Sequence, residues 1–402
     1  MKRCLRMLAM LLAMLSVLGM VACDTGKGEQ VTTEAEHTDS AVETEEKSET
    51  VAVTEAPTET ETETETETET EEDDGMGLDI TNKTGLVSIC YSVWFDGVLG
   101  TGDEPVTDWN NISEVLAGKR EWGGVTAFHY WAKPAQGYYR STDKQAARNN
   151  LKLLGEAQVD FIILDYTNAN DGYITDPQKG EVWAFAPMRT LCEVILEMRA
   201  EGLKVPYIVP WCGASEGPLI EAFYEKFYTV EEWQDCFVYW DGKPFMLTSK
   251  LVEDFPCPEL FTIRRMWGLT NDKCWRFLNV DNSKTVYQNN GLEQLSVATA
   301  TQETYMSRPT AHGRDGGKFF YNQWKTAFKY HPKVVTITWW NEWVAQRFII
   351  DGETTFVDNY TPEFSRDIEP MEGGHGDLYY QWMKQYIAAY KAGEECPVLV
   401  EK

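Results

Sequence analysis

The stretch Val334-Val-Thr-Ile-Thr-Trp-Trp-Asn-Glu-Trp343 decides how this chain is read. Its first half, Val334 to Thr338, is a β-branched run with the composition of a buried strand. Where that strand ends, an amide and a carboxylate, Asn341 and Glu342, stand among three tryptophans. An indole offers a broad apolar face with one N–H at its edge, which suits stacking on a sugar ring. A carboxylate beside such faces can act on a glycosidic bond as acid, base or nucleophile. The plainer alternative is a buried Asn-Glu pair braced by aromatic packing, although an ionised Glu is rarely buried without a partner.

Outward from this stretch, short apolar runs alternate with amphipathic ones. The pattern predicts strands at Leu86–Trp94, Val125–Trp131, Asp160–Tyr166, Lys204–Trp211, Phe245–Ser249, Phe261–Trp267, Gln294–Thr301 and Val334–Trp340. It predicts helices at Lys144–Ala157, Pro187–Glu201, Pro218–Tyr228, Lys318–Tyr330 and Leu378–Ala392. Asp143 is placed to cap the first of these, and Gly202 and Gly393 stand where helix C-terminal glycines are expected. Asp241-Gly242, between two apolar runs, is a hairpin signal. Eight β/α alternations with strongly apolar strands favour an α/β fold of one kind, a single (β/α)8 TIM barrel. No Gly-rich phosphate loop follows the first strand, which counts against a nucleotide-binding sheet.

The N-terminal residues lie outside that fold. Lys2, Arg3 and Arg6 form a basic start to the apolar run from Leu5 to Val21, so residues 1–23 read as a secretory signal peptide. It ends in Met20-Val-Ala-Cys23, similar to a bacterial lipobox, so Cys23 is the expected lipidation site. That places the mature protein at the bacterial cell surface, held to the membrane by its lipid anchor only. Ordinary signal cleavage and free secretion is the alternative. Residues 24–78 are a Thr/Glu-rich tether: positions 24–77 hold 20 acidic and 2 basic side chains, about −18 of the whole chain's −28. Such a segment cannot bury enough apolar surface to fold, and self-repulsion extends it. The acidity therefore belongs to the tether, and the moderately acidic body, residues 79–402, lacks the basic face that nucleic acid requires. Seven cysteines follow Cys23 with no C-x-x-C spacing, so a zinc ribbon is not expected.

In a barrel the active site gathers at the carboxyl ends of the strands. The sequence puts Trp94, His129-Tyr130-Trp131, Asp165-Tyr166, Trp211, Trp267, Gln302-Glu303 and Trp340-Asn341-Glu342 at such ends. These suit a cleft with stacking platforms and a few polar groups.

Thr338-Trp-Trp-Asn-Glu-Trp343 resembles the last-strand motif of the glycoside hydrolase family 99-like barrels, which include endo-α-mannosidases and WbsX-type polysaccharide proteins. Phe128-His-Tyr-Trp131, Asp241-Gly-Lys-Pro244 and Ile368-Glu-Pro370 resemble the same group in the same order. The resemblance implies a barrel acting on glycans, with Glu342 as one catalytic carboxylate. In the endo-α-mannosidases a second catalytic Glu follows after two intervening residues, and that position is Ala345 here. An insert from Val344 to Asp367 also separates the two motifs, longer than an ordinary barrel loop.

A second carboxylate must then come from elsewhere. Asp165, ending the apolar run Phe161-Ile-Ile-Leu164, is the favoured candidate, with a structural Asp bonded to neighbouring backbone amides as an equal alternative. Glu303, Glu216, Asp367 and Glu369 are further candidates, the last two explained equally well by a salt bridge from Arg366 or by a helix cap. The expected sugar contacts are Trp340, Asn341, His129, Tyr130, Trp131, Tyr166, Trp211, Trp267, Glu303 and Glu369. No metal or other cofactor is expected, because the histidines show no i, i+4 pairing; calcium at Asn168-Ala-Asn-Asp171 has nothing to support it. The expectation is a monomeric, surface-anchored glycoside hydrolase acting on a polysaccharide or glycan. A carboxyl separation of about 5–5.5 Å would mark retention and about 6.5–9.5 Å inversion. The rivals are a non-catalytic carbohydrate-binding lipoprotein and a polysaccharide-assembly factor.

Overall fold

The computed structural model describes residues 76–96, 112–213, 217–268, 274–279, 286–288, 291–302, 312–357 and 361–401. The expected signal peptide with Cys23, nearly all of the tether, Glu216 and Glu303 lie outside the described residues.

The strands, in chain order, are β1 (Leu78–Asp79), β2 (Leu86–Ser92), β3 (Phe128–Tyr130), β4 (Phe161–Tyr166), β5 (Tyr207–Cys212), β6 (Val238–Trp240) and β7 (Lys243–Thr248). They continue with β8 (Thr262–Arg265), β9 (Val286–Gln288), β10 (Gly291–Ala298), β11 (Val334–Thr338), β12 (Val344–Ile350) and β13 (Glu353–Phe356). The parallel order β10-β11-β2-β4-β5-β7-β8 follows the chain around a barrel. Between β8 and β10, residues 274–279 hold the remaining position. There Trp275 bridges Met266 in parallel. The Gln294 side chain accepts from Arg276 N at 3.0 Å and donates to Arg276 O at 2.8 Å, so an amide side chain replaces a strand ladder. The chain folds as a TIM barrel.

One expected strand is not a barrel strand. Phe128–Tyr130 pairs antiparallel with β12, and β12 pairs with β13, giving a separate three-stranded sheet. The run from Val125 fails as a barrel strand because Thr126 sits at φ 73, outside extended backbone. β2 pairs instead with β4. The insert after Asn341-Glu342-Trp343 supplies the other two strands of this small sheet.

Helices pack outside the barrel. Lys144–Glu156 starts at Asp143, whose Oδ1 accepts from Gln145 N and Ala146 N at 2.9 and 3.1 Å. Ala186–Ala200, Lys318–Tyr330 and Leu378–Lys391 follow the expected pattern. The expected Pro218–Tyr228 helix is α only to Phe223; from Tyr224 it widens to π, with Thr229 N donating to Tyr224 O. Asp241 and Gly242 both take positive φ, 53 and 72, in the turn joining β6 to β7.

The core divides by strand parity. Side chains alternate across each strand, so Phe161, Ile163 and Val209 fill the barrel while Ile162, Leu164 and Ile208 meet the helices. The seven cysteines after Cys23 form no disulfide, and five are buried. Among the described residues no helix is long and apolar enough to cross a membrane.

Candidate active site

Parity also decides what reaches the cleft. Asp165 follows Phe161 and Ile163 onto the inner face of β4, whereas Tyr166 turns outward and donates its hydroxyl to Ala184 O at 3.1 Å. Trp211 shares the inner face of β5 with Val209. Beyond Thr338 strand geometry ends; Trp339 joins the interior, and Trp340 packs outward against Tyr380, ring centroids 6.1 Å apart. Trp340 is fully buried and is not a cleft residue, contrary to its expected role.

The result is a cleft of about 520 Å³ lined by Asp165, Glu342 and Arg366 with Trp94, Trp211, Trp267 and Trp339. Phe128 from β3, Val344 and Gln346 from β12, and Val357 just beyond β13 form one wall of it. Trp183, Tyr173, Thr167, Asn168, Ser249 and Phe277 complete the lining. The structure therefore brings Glu342, Asp165, Trp211 and Trp267 together.

Glu342 carries a specific partner. Arg366 Nη2 pairs with Glu342 Oε2, and the guanidinium carbon lies 5.3 Å from the centre of the Trp339 ring. Arg366 thus forms its ion pair with Glu342. The Asp165 carboxylate, 8 % exposed, accepts from Thr167 N at 2.9 Å and Thr167 Oγ1 at 2.7 Å through Oδ1. Gly213 allows this turn to sit close to β5, since a Cβ there would lie 1.9 Å from Thr167 O.

Behind the cleft lie two buried acids. Asp367 Oδ1 accepts from Glu342 N, and Oδ2 accepts from Trp131 Nε1 at 3.1 Å and Ser365 Oγ at 3.0 Å. Burial pushes Asp367 up to about 6, against the pull of those hydrogen bonds and of Arg314 and Arg366. Glu369 accepts from Gln136 Nε2 at 2.6 Å, from the Tyr139 hydroxyl at 2.7 Å and from the Trp343 indole. Burial pushes it up to about 7, with the same three bonds opposing. Glu369 therefore lies beneath the cleft and not in it.

The remaining expected contacts are also buried supports. Asn341 Oδ1 accepts from Ser92 N at 2.8 Å, and its Nδ2 donates to the Tyr139 hydroxyl at 3.1 Å. Trp131 stacks on Trp343 and donates to Glu342 O at 2.9 Å. Tyr130 packs on Tyr138, ring centroids 4.4 Å apart. His129 is fully buried in the small sheet, with its ring nitrogens 3.0 and 2.9 Å from Ala127 O and Trp122 O. Burial holds it below the usual histidine range. None of these four lines the cleft. In the Asn168–Asp171 loop, Asn168 lines the cleft, while Asn170 and Asp171 accept from Gly172 N and Leu219 N. Among the described residues no group of His, Cys, Asp or Glu is arranged to hold a metal ion.

Sequence reasoning did not place Arg366 or Gln346 in the cleft, while Trp339, expected with the rest of Trp339–Trp343 at its floor, does line it. Arg366 and Gln346 stand in the insert, whose path no period reveals.

No family model matches the chain, and no curated protein matches it. Among solved structures, the GH99 endo-α-mannosidase of Bacteroides thetaiotaomicron is similar over 77% of this chain and 98% of its own, at 13% identity and a TM-score of 0.49. The same enzyme in complex with bis-tris-propane covers 76% and 98%, at 13% identity and a TM-score of 0.46. A glycoside hydrolase-like protein covers 76% and 95%, at 10% identity and a TM-score of 0.45. The barrel assignment rests on the strand order itself.

Proposed function

We propose that the barrel hydrolyses glycosidic bonds in a polysaccharide or glycan, with Glu342 and Asp165 as its carboxylates. The observation that carries this reading is their shared position in one cleft walled by tryptophans. Two acids among stacking faces are what an oxocarbenium-like transition state requires. The Arg366 guanidinium paired with Glu342 suits a base or nucleophile at that position, and Asp165 is the second carboxylate within the same cleft. The aromatic faces would hold sugar rings by their C–H surfaces. We also propose that the chain acts outside the membrane, lipid-anchored at Cys23 on its acidic tether.

The test is hydrolysis of a panel of bacterial, plant and host glycans by the chain lacking residues 1–23, beside its Glu342→Gln and Asp165→Asn forms. Turnover that survives Glu342→Gln unchanged would sink the assignment. A binding protein is the second reading, favoured by two observations. Thr167 already occupies one Asp165 oxygen, and alanine stands at 345. That reading expects retained glycan with no product from any member of the panel.

A further inference from the structure

Residues 366–369 run alongside residues 339–343 and grip them at successive points. Trp339 N donates to Arg366 O at 3.1 Å, and Ile368 N and Glu369 N both donate to Trp340 O, at 3.1 and 2.9 Å. Within this grip the Asp367 carboxylate holds Glu342 on both sides. One oxygen takes the Glu342 N–H; the other takes the Trp131 indole N–H, which is shared with Glu342 O. Arg314 Nη2 fixes the clamp from behind by donating to Asp367 O at 2.6 Å.

We propose that Asp367 is a positioning residue for Glu342: its ionised carboxylate fixes the peptide groups flanking Glu342 and so the direction in which that side chain enters the cleft. The inference takes the cleft reading above as its premise. Protonation of Asp367 would turn one acceptor oxygen into a donor facing an N–H, so the clamp loosens in acid. The charged groups that face Asp367 are the guanidinia of Arg314 and Arg366 and the carboxylates of Glu342 and Glu369. Burial places its ionisation at about 6.

The first experiment needs no turnover. In the chain lacking residues 1–23, labelled with ¹⁵N-glutamate, the Glu342 amide signal is identified by its loss in Glu342→Gln. It should shift with pH around a midpoint near 6, keep that midpoint in Glu369→Gln, and lose it in Asp367→Asn. An amide that does not titrate in the unmodified protein, or a midpoint removed by Glu369→Gln alone, overturns the proposal even if Asp367→Asn fails to fold. The second experiment uses whichever glycan the panel shows to be hydrolysed. Asp367→Asn should lower kcat by about 10²-fold with little change in KM, and remove the acid limb of the pH profile. An unchanged kcat overturns the proposal. Absence of turnover by the unmodified protein would instead remove the glycosidase reading and leave the amide titration to decide the clamp.

Discussion

Arg366 and Glu342 form an ion pair at the floor of the cleft, the Arg366 side chain 1% exposed and that of Glu342 11%. The arginine arrives from the insert and the glutamate from beyond the end of β11, so two groups 24 positions apart in the chain are in direct contact. Their charges are too deeply placed for solvent to screen, which makes each the condition for the other's burial.

Arg366→Met should therefore leave the Glu342 carboxylate without its guanidinium partner. A loss of about 3 kcal/mol in urea unfolding is expected, together with a kcat reduced by about 10²-fold. Arg366→Lys keeps the charge but not the planar fork over Trp339, and should recover stability more fully than rate. Equal rates for all three proteins would show that Glu342 does not act as an ion.

Two tryptophans separate support from recognition. Trp267 is half-buried on the cleft wall, so Trp267→Ala should weaken glycan binding about tenfold, read by titration calorimetry, with a small change in melting temperature. Trp340 is wholly buried between barrel and helices, so Trp340→Ala should cost about 3–5 kcal/mol of stability while the folded fraction binds normally.

That contrast also marks how far the sequence could be read. Seven of eight expected barrel strands are present because β-branched and aliphatic runs such as Phe161-Ile-Ile-Leu164 leave little alternative once a barrel is assumed. The carboxyl ends of those strands then placed Asp165 and Trp211 at the cleft. The same rule misled at Trp340, because the strand stops at Thr338, and at Val125–Trp131, where an apolar run serves a loop sheet instead. Cys274–Asn279 escaped notice because it has no strand periodicity and is held by the side chain of Gln294. Arg366, Asp367 and Glu369 were visible as polar residues, but only the fold shows which faces the cleft and which lies beneath it.

The buried acids should give the domain an unusual stability profile. Glu369 rises from 4.5 to about 7 and Asp367 from 3.8 to about 6, so the folded state binds more protons than the unfolded chain between those values. Their contribution is complete below the lower values and is lost as pH rises through the upper ones. Between pH 5.5 and pH 8 Glu369 alone should thus remove about 2 kcal/mol of stability, read by urea unfolding. His129 and His375 set the opposite trend, because burial lowers both and disfavours the folded state in acid. Glu369→Gln, neutral throughout, should flatten the difference. A midpoint that rises steadily toward pH 8 in both proteins would contradict the assignment.

The position of the missing second glutamate can be tested directly. Ala345 lies in β12 opposite His129, 2% exposed, and faces away from the cleft that Val344 and Gln346 line on either side of it. Ala345→Glu should place a carboxylate in the small sheet's buried aromatic cluster, and lower stability without adding activity. Gln346→Glu points the same group into the cleft at little structural cost, since Gln346 is half-buried and its side chain donates only to Thr126 O. If Asp165 is a weak proton donor because Thr167 occupies it, Gln346→Glu should change the alkaline limb of the pH–rate profile, where a general acid loses its proton, and Ala345→Glu should not. The reverse outcome, with Ala345→Glu folded and more active, would mean that β12 turns its other face to the substrate.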